Sequence, residues 1–357
     1  MKIVFMGTPE FAVSPLQALL QNGYEVAAVF TQPDKPKGRG YQMAFPPVKE
    51  LATAHQIPVY QPATLKDGTA LSILQEIDPD LIVVVAYGKI LPSDILELPR
   101  YGCINVHASL LPKYRGAGPI QWSILNGETQ TGVTTMYMAE GLDTGDMILK
   151  KTIPILPDET ADELHDRLSV IGAEALLETI PLLASGKAPR EKQDDSLSCY
   201  APMLSKELSK LDFSQPAAKI HNQIRGLSSW PAAYLMLGGK RLKVYRSRLA
   251  EDYGGQPGVF QRSLSILHQF RTHVAQRYDP HPVQVGITFH GHRAAHPESD
   301  KSHPNHRNRI AAQLQHVGLP FRAGRLGEFD HSVAHFRRLA CRRLRDRSRE
   351  QHRESDQ

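Results

Sequence analysis

Between Asp80 and Tyr87 the chain reads Leu81-Ile82-Val83-Val84-Val85-Ala86, an unbroken apolar run that is mostly β-branched. As a strand it has no polar side to turn toward water, so both faces must be covered. A parallel sheet with helices on each side meets that requirement, and the flanking sequence supplies the parts. Lys2–Met6 and Glu25–Phe30 read as strands. Phe11–Gln21 carries apolar residues at helical spacing and stops at Asn22-Gly23, a good C-terminal signal. Pro46–His55 and Leu71–Ile77 are further helices, and Tyr101–Val106 and Gly118–Leu125 add a strand and a helix. Thr160-Ala161-Asp162-Glu163 is a capping box opening a long helix, with Leu164, Leu168, Ile171, Ala175 and Leu176 on one side and an end near Ser185-Gly186. Strands alternating with helices imply a doubly wound, Rossmann-like α/β sheet with ligands at the carboxyl ends of the strands.

Lys187–Ser198 is polar and reads as a linker. A second, smaller domain follows, with a helix around Pro216–Gly226 and a hairpin of Ala233–Leu237 and Arg241–Arg248 about Gly238-Gly239. The expected division is 1–187 for the first domain, 188–204 for the linker and 205–260 for the start of the second, leaving 261–357. No apolar run approaches about 18 residues, so no membrane span is expected. Cys103, Cys199 and Cys341 are too scattered for a disulfide framework or a zinc site, which favours a reducing cytoplasm.

The net charge of +5 is unevenly spread. Residues 1–260 hold 25 Lys+Arg and 28 Asp+Glu, whereas residues 261–357 hold 17 and 9. The later segment has 12 of the 16 histidines and 16 Arg to a single Lys, against 9 Arg to 16 Lys before it.

The opening strand leads into Gly7-Thr8-Pro9-Glu10-Phe11, which lacks the G-x-G-x-x-G that brings backbone against a pyrophosphate. A nicotinamide or flavin enzyme is disfavoured, and there is no P-loop, G-x-S-x-G or H-E-x-x-H. Three segments carry candidate chemistry. In Asn105-Val106-His107 the two polar residues are two apart at a strand end and project to one side. An amide donor beside an imidazole suits a negative oxygen developing on a carbonyl carbon, while a buried Asn–His pair is the plainer reading. Glu140–Asp146 is either a bare hairpin turn or the source of a carboxylate for His107. Gln32–Gly40 places Lys35, Lys37 and Arg39 among two Pro and two Gly, as a solvated connection or a phosphate-contacting loop.

Over about residues 1–260 the chain resembles the formyltransferase family that uses 10-formyltetrahydrofolate, in particular the branch whose acceptor is initiator methionyl-tRNA. The resemblance rests on Phe5-Met6-Gly7-Thr8-Pro9-Glu10-Phe11-Ala12, the Pro33–Gly40 loop, Asn105–Pro112 and Leu142-Asp143-Thr144-Gly145-Asp146. Tyr200-Ala201-Pro202 and Ile224–Pro231 in the second domain point to the tRNA branch. It implies a catalytic trio of Asn105, His107 and Asp143, and a folate-lining loop of Ser109, Leu110, Leu111 and Pro112. Arg39, flanked by Lys35 and Lys37, matches a wedge that enters the acceptor end of the tRNA. Lys240, Arg241 and Lys243, with Arg246 and Arg248, would form a second RNA-facing patch. Strand alternation would put Arg241, Lys243 and Tyr245 on one face and Lys240, Leu242, Val244 and Arg246 on the other. The co-substrate is then the folate donor with no metal, and a monomer is expected. The rival reading is folate-dependent formyl transfer to a purine precursor or an amino sugar.

The family's second domain resembles a small oligonucleotide-binding β-barrel, and here it is incomplete as read. After Phe260 alternating apolar stretches are few, apart from Val283–Phe289, and the chain runs into Arg337–Arg347. Two readings stand: a basic extension that binds RNA electrostatically, or a tail translated from a shifted frame. The second leaves a damaged or inactive product as a further alternative. His290-Gly291-His292 and His303-Pro304-Asn305-His306 match no standard metal-ligand spacing.

Overall fold

The computed structural model describes residues 1–37 and 42–249 and, beyond them, the backbone of three strands. Arg39, the Arg337–Arg347 run and the two histidine-rich stretches lie outside the described residues. In the first domain, strands β1 (Lys2–Gly7), β2 (Glu25–Phe30), β3 (Lys35–Lys37), β4 (Gln42–Ala44), β5 (Val59–Tyr60), β6 (Leu81–Val85), β7 (Cys103–His107), β8 (Gln130–Tyr137) and β9 (Met147–Pro154) alternate with helices. The helices are α1 (Val13–Gln21), α2 (Pro47–Ala54), α3 (Thr69–Ile77), α4 (Ser93–Leu96), α5 (Pro119–Leu125) and α6 (Ala161–Ala184).

One seven-stranded sheet runs β5-β2-β1-β6-β7-β8-β9. The first five are parallel, and β8 and β9 extend them as an antiparallel pair. β6 is buried at all five positions. Leu81, Val83 and Val85 pack with α1, α2 and α6, while Ile82 and Val84 pack with α3 and α4. Each such side chain contributes roughly 1.5–3 kcal/mol of burial, which is why this strand lies at the centre. The chain moves outward from β1 to β2 and β5, then returns to β6 on the other side of β1. That reversal opens a crevice at the carboxyl ends of the strands. There Thr8 Oγ1 donates to the Tyr87 carbonyl at 3.1 Å, and Gln32 Nε2 does so at 3.1 Å, tying the loops together.

The capping box of α6 is formed: Thr160 Oγ1 accepts from the Glu163 amide, and the Glu163 carboxylate accepts from Thr160 N–H at 2.9 Å. The basic segment is a short ribbon rather than a free loop, because β3 and β4 pair antiparallel. Its base is pinned by Asp34, which accepts from Lys49 Nζ at 2.6 Å and from Gln61 Nε2 at 2.8 Å. These partners, the lysine above all, hold the Asp34 carboxyl below its ordinary value.

The following segment contains α7 (Ala217–Gly226) and the hairpin β10 (Ala233–Leu237) and β11 (Lys240–Val244), packed around Leu211, Ile220, Ile224, Leu235 and Val244. Helix α7 docks on the turn before α6. His221 Nε2 donates to the Pro157 carbonyl at 2.9 Å, and Arg225 reaches the carbonyls of Leu156 and Glu159 at 3.3 Å. The second arm of the hairpin is shorter than its sequence reads, for a physical reason. Arg246 pairs with Glu163 and Arg248 lies 3.6 Å from Asp158, so this stretch leaves the hairpin to meet the first domain. β12 (Arg248–Leu249) then joins a sheet of order β12-β15-β14-β13 with β13 (Val259–Arg262), β14 (Phe270–Val274) and β15 (Val283–Ile287). The sequence boundary drawn after Phe260 falls inside β13. No helix among the described residues is long and apolar enough to cross a membrane.

Candidate active site

β7 alternates: Ile104 and Val106 point into the core beneath α6, and Cys103 lies in the core on the other face. Asn105 and His107 therefore share the face of Cys103. Asn105 is half-buried, and its side-chain amide makes no hydrogen bond among the described residues. His107 is only 6% exposed. Its Nε2 lies 2.9 Å from the carbonyl oxygen of Tyr114. A carbonyl can only accept, so Nε2 carries the hydrogen, and in the neutral form of the ring Nδ1 keeps its lone pair. Nδ1 faces Asp143 Oδ2 across 3.7 Å. That gap exceeds hydrogen-bond length, so the ring takes its orientation from the Tyr114 carbonyl rather than from Asp143. A proton delivered to this gap would have a basic nitrogen on one side and a carboxylate on the other.

Both partners of His107 are held from outside. Tyr114 sits at φ 61; its N–H donates to Cys199 Sγ at 3.2 Å and its hydroxyl to Glu128 at 2.8 Å. Burial, more than its polar neighbours, pushes this phenol up to about 12, so it stays neutral. Asp143 lies in the turn between β8 and β9 at φ 52. Its Oδ2 accepts from Gly116 N–H at 2.9 Å. Gly116 in turn lies against the Tyr200 ring, where a Cβ would stand 2.6 Å from a ring carbon. The segment that composition marks as a linker is thus laid along the site loop, with Arg115 N–H donating to the Cys199 carbonyl at 3.0 Å and Ala201 N–H to the Arg115 carbonyl at 2.7 Å.

Asn105, His107 and Asp143 are therefore brought to one place. The loop Ser109–Pro112 follows directly from β7, but its polar groups are turned inward. Ser109 Oγ donates to the Lys113 carbonyl at 2.7 Å, and Thr134 Oγ1 donates to the Ser109 carbonyl at 2.7 Å and accepts from Leu111 N–H at 3.1 Å. Leu111 is buried with Met136 and Met147, while Leu110 and Pro112 are half-buried. Lys35 is exposed on the ribbon, and Lys37 is the last residue of β3. Lys240, Arg241 and Lys243 are exposed on β11, with Arg241 stacked 4.0 Å over the Tyr234 ring. Arg246 and Arg248, read from sequence as part of that patch, are instead paired to Glu163 and Asp158. Among the described residues no group of three or more His, Cys, Asp or Glu could hold a metal ion.

Comparison with known proteins bears on this arrangement. Residues 1–180 match the family described as Formyl transferase, and residues 203–272 match Formyl transferase, C-terminal domain. The chain belongs to the formyl transferase family. This formyl transferase is 55% identical over 262 residues to the methionyl-tRNA formyltransferase of Geobacter sulfurreducens, covering 73% of this chain and 82% of that protein. It is 59% identical over 261 residues to the methionyl-tRNA formyltransferase of Geotalea uraniireducens, covering 73% and 83%. Among solved structures it shares its fold with an N-formyltransferase from Helicobacter canadensis in complex with folinic acid and dTDP-3-aminofucose. That match has a TM-score of 0.62 and 22% identity, over 80% of this chain and 99% of the other. WlaRD, a sugar 3N-formyl transferase solved with dTDP and 5-N-formyl-THF, matches at a TM-score of 0.60 and 22% identity, over 80% and 97%.

Proposed function

We propose that this formyl transferase moves the formyl group of 10-formyltetrahydrofolate onto the free α-amine of methionine esterified to initiator tRNA, for translation initiation. The observation that carries the reading is the 55–59% identity, over nearly three quarters of the chain, to proteins named for that reaction. The sugar-acting neighbours share the fold at 22% identity, which speaks to architecture and not to acceptor.

The site chemistry fits formyl transfer to an amine. The folate donor supplies an activated formyl group on nitrogen; the amine attacks its carbon, the bond to the folate nitrogen breaks, and that nitrogen takes up a proton. Asn105 offers an amide donor that no other described residue uses, as an oxyanion site requires. His107, held through Nε2–H, has Nδ1 available to accept the amine proton or, once charged, to return one to the leaving nitrogen. Asp143 stabilises the charged ring across the 3.7 Å gap, or takes that same amine proton through water in place of His107. Ser109–Pro112 shapes the folate side through its backbone, since its polar side chain is turned inward. Lys35 and Lys37 on the ribbon, Arg39 a little further along the chain, and Lys240, Arg241 and Lys243 on β11 contact the tRNA. The catalytic domain is 1–187, and residues 205–260 begin the RNA-contacting domain.

The test presents purified protein with the folate donor and three acceptors: charged initiator tRNA, glycinamide ribotide and an amino-sugar nucleotide. Formylation of the tRNA alone is expected. Formylation of either small amine with the tRNA left untouched rejects the reading.

A further inference from the structure

Gln193 lies in the stretch that composition marks only as polar, yet its side-chain amide is used at both ends. Nε2 donates to the Asp143 carbonyl and to the Gly145 carbonyl, each at 2.8 Å. Oε1 accepts from Arg115 Nε at 2.9 Å. The same arginine donates through its terminal nitrogen to Asp195 Oδ1 at 2.8 Å, and its side chain is only 12% exposed. A guanidinium has no acceptor, so it fixes which end of the amide faces it. The amide oxygen must turn to Arg115, and both N–H groups are then aimed at the two carbonyls of the Asp143 turn.

That turn needs support. Asp143 holds φ 52, a left-handed conformation that side chains resist. Its carboxylate has a direct donor in Gly116 N–H, but its backbone is clasped by Gln193. Gly116 follows Arg115 directly in the chain, so one short stretch fixes the carboxylate through an amide and the backbone through the Arg115–Gln193 pair.

We propose that Gln193 is a positioning residue for Asp143, setting the distance and direction of the Asp143 carboxylate from His107 Nδ1. It acts by holding the turn, and it brings the segment between the two domains into the geometry of the site. The inference rests on the reading of Asp143 as the carboxylate partner of His107.

The experiment uses the full chain and single-turnover formyl transfer. Gln193→Met keeps the length and removes every hydrogen bond; Gln193→Glu keeps an acceptor for Arg115 and removes both donors. Each should slow transfer about tenfold, the usual cost of an outer support to a reacting group, while KM for the folate donor stays at the wild-type value. If Gln193→Met does not fold, as judged by thermal melting, Gln193→Glu carries the test. The reference is Asp143→Asn, which should be slow by itself. Adding either Gln193 substitution to Asp143→Asn should cause no further loss, because a support for a carboxylate that is gone has nothing left to hold. A wild-type rate in the Gln193 variants alongside a slow Asp143→Asn overturns the proposal, as does an equal fractional loss in both backgrounds. A wild-type rate in Asp143→Asn itself rejects the reading of Asp143 and the proposal with it.

Discussion

Asn105→Ala separates catalysis from folding more cleanly than any other change in the site. The side-chain amide has no partner among the described residues, so its removal leaves none of their buried groups unpaired. Asn105 is also only half-buried, and a change of this kind costs less than about 1 kcal/mol of stability. For a chain of this size that is a melting shift of no more than about 4 °C. An oxyanion donor, by contrast, is worth on the order of 10²–10³ in kcat, about 2.7–4 kcal/mol. His107→Ala has no such separation, because it strips the Tyr114 carbonyl of its donor, at about 1–3 kcal/mol. The assay is steady-state formyl transfer with charged tRNA, alongside thermal melting of the same preparation. The Asn105→Ala variant should melt with the wild type, bind the folate donor with an unchanged KM and turn over at least about 100-fold more slowly. A kcat within about threefold of wild type, in a protein that melts normally, would refute the oxyanion assignment.

Three further outcomes follow from particular contacts. Gly116→Ala places a Cβ 2.6 Å from the Tyr200 ring and 2.7 Å from the Ala201 carbonyl at φ 114, a conflict of about 1–3 kcal/mol; it should lower both the melting temperature and kcat, and a variant unchanged in both shows the loop contact to be slack. Burial pushes the His221 imidazole below its ordinary value, against the pull of the Pro157 carbonyl and Asp158 and with help from Arg225; the stability this neutral ring contributes is present above about pH 6.5 and is lost as pH falls through the folded value. Melting should therefore drop below about pH 6.5, more steeply in wild type than in His221→Gln, and parallel profiles would discount the histidine. Leu111→Ala empties a buried position beside Met136 and Met147 and should cost about 2–5 kcal/mol of stability by denaturant unfolding, a loss under about 0.5 kcal/mol marking the loop as already mobile there.

Much of the fold is legible because the deciding signals are local. The apolar run at Leu81 demands a central strand, the Thr160 and Glu163 pair starts α6 where it does, and the β11 alternation puts Leu242 and Val244 inward and Arg241 and Lys243 outward. The strand end at Asn105 and His107 is legible for the same reason, since spacing two apart in a strand fixes a shared face. What sequence leaves hidden is work done by backbone and by long-range partners. The Tyr114 carbonyl orients His107 only because Tyr114 holds φ 61, which an aromatic residue does not advertise. Gly116 N–H and Gln193 are invisible for a similar reason: one is a main-chain amide, and the other sits in a polar stretch whose partners lie some 48 to 78 residues away. The hairpin arm reads as continuous to Arg248 because nothing local reveals Glu163 and Asp158.

Those two ion pairs also change the charge argument. With Arg246 and Arg248 engaged by the first domain, the cations proposed to meet tRNA reduce to Lys35, Lys37, Arg39, Lys240, Arg241 and Lys243. If all six displace counterions, the plot of log affinity against log salt should fall with a slope of about −4 to −5, at roughly 0.7–0.9 per phosphate contact. The tail beyond Phe260 carries 16 arginines, so its participation would make the slope markedly steeper. Initiator tRNA binding by the full chain over a salt series therefore shows whether the tail takes part. A slope near −5 leaves it a bystander; the shifted-frame reading is tested separately by the coding DNA, whose other two frames should then yield barrel-like strands past Phe260. A slope beyond about −8 makes the tail part of the RNA contact, whichever frame it was translated from. In either case Lys35→Ala with Arg39→Ala should flatten the slope by about 1.5 to 2, and an unchanged slope would remove these two cations from the interface.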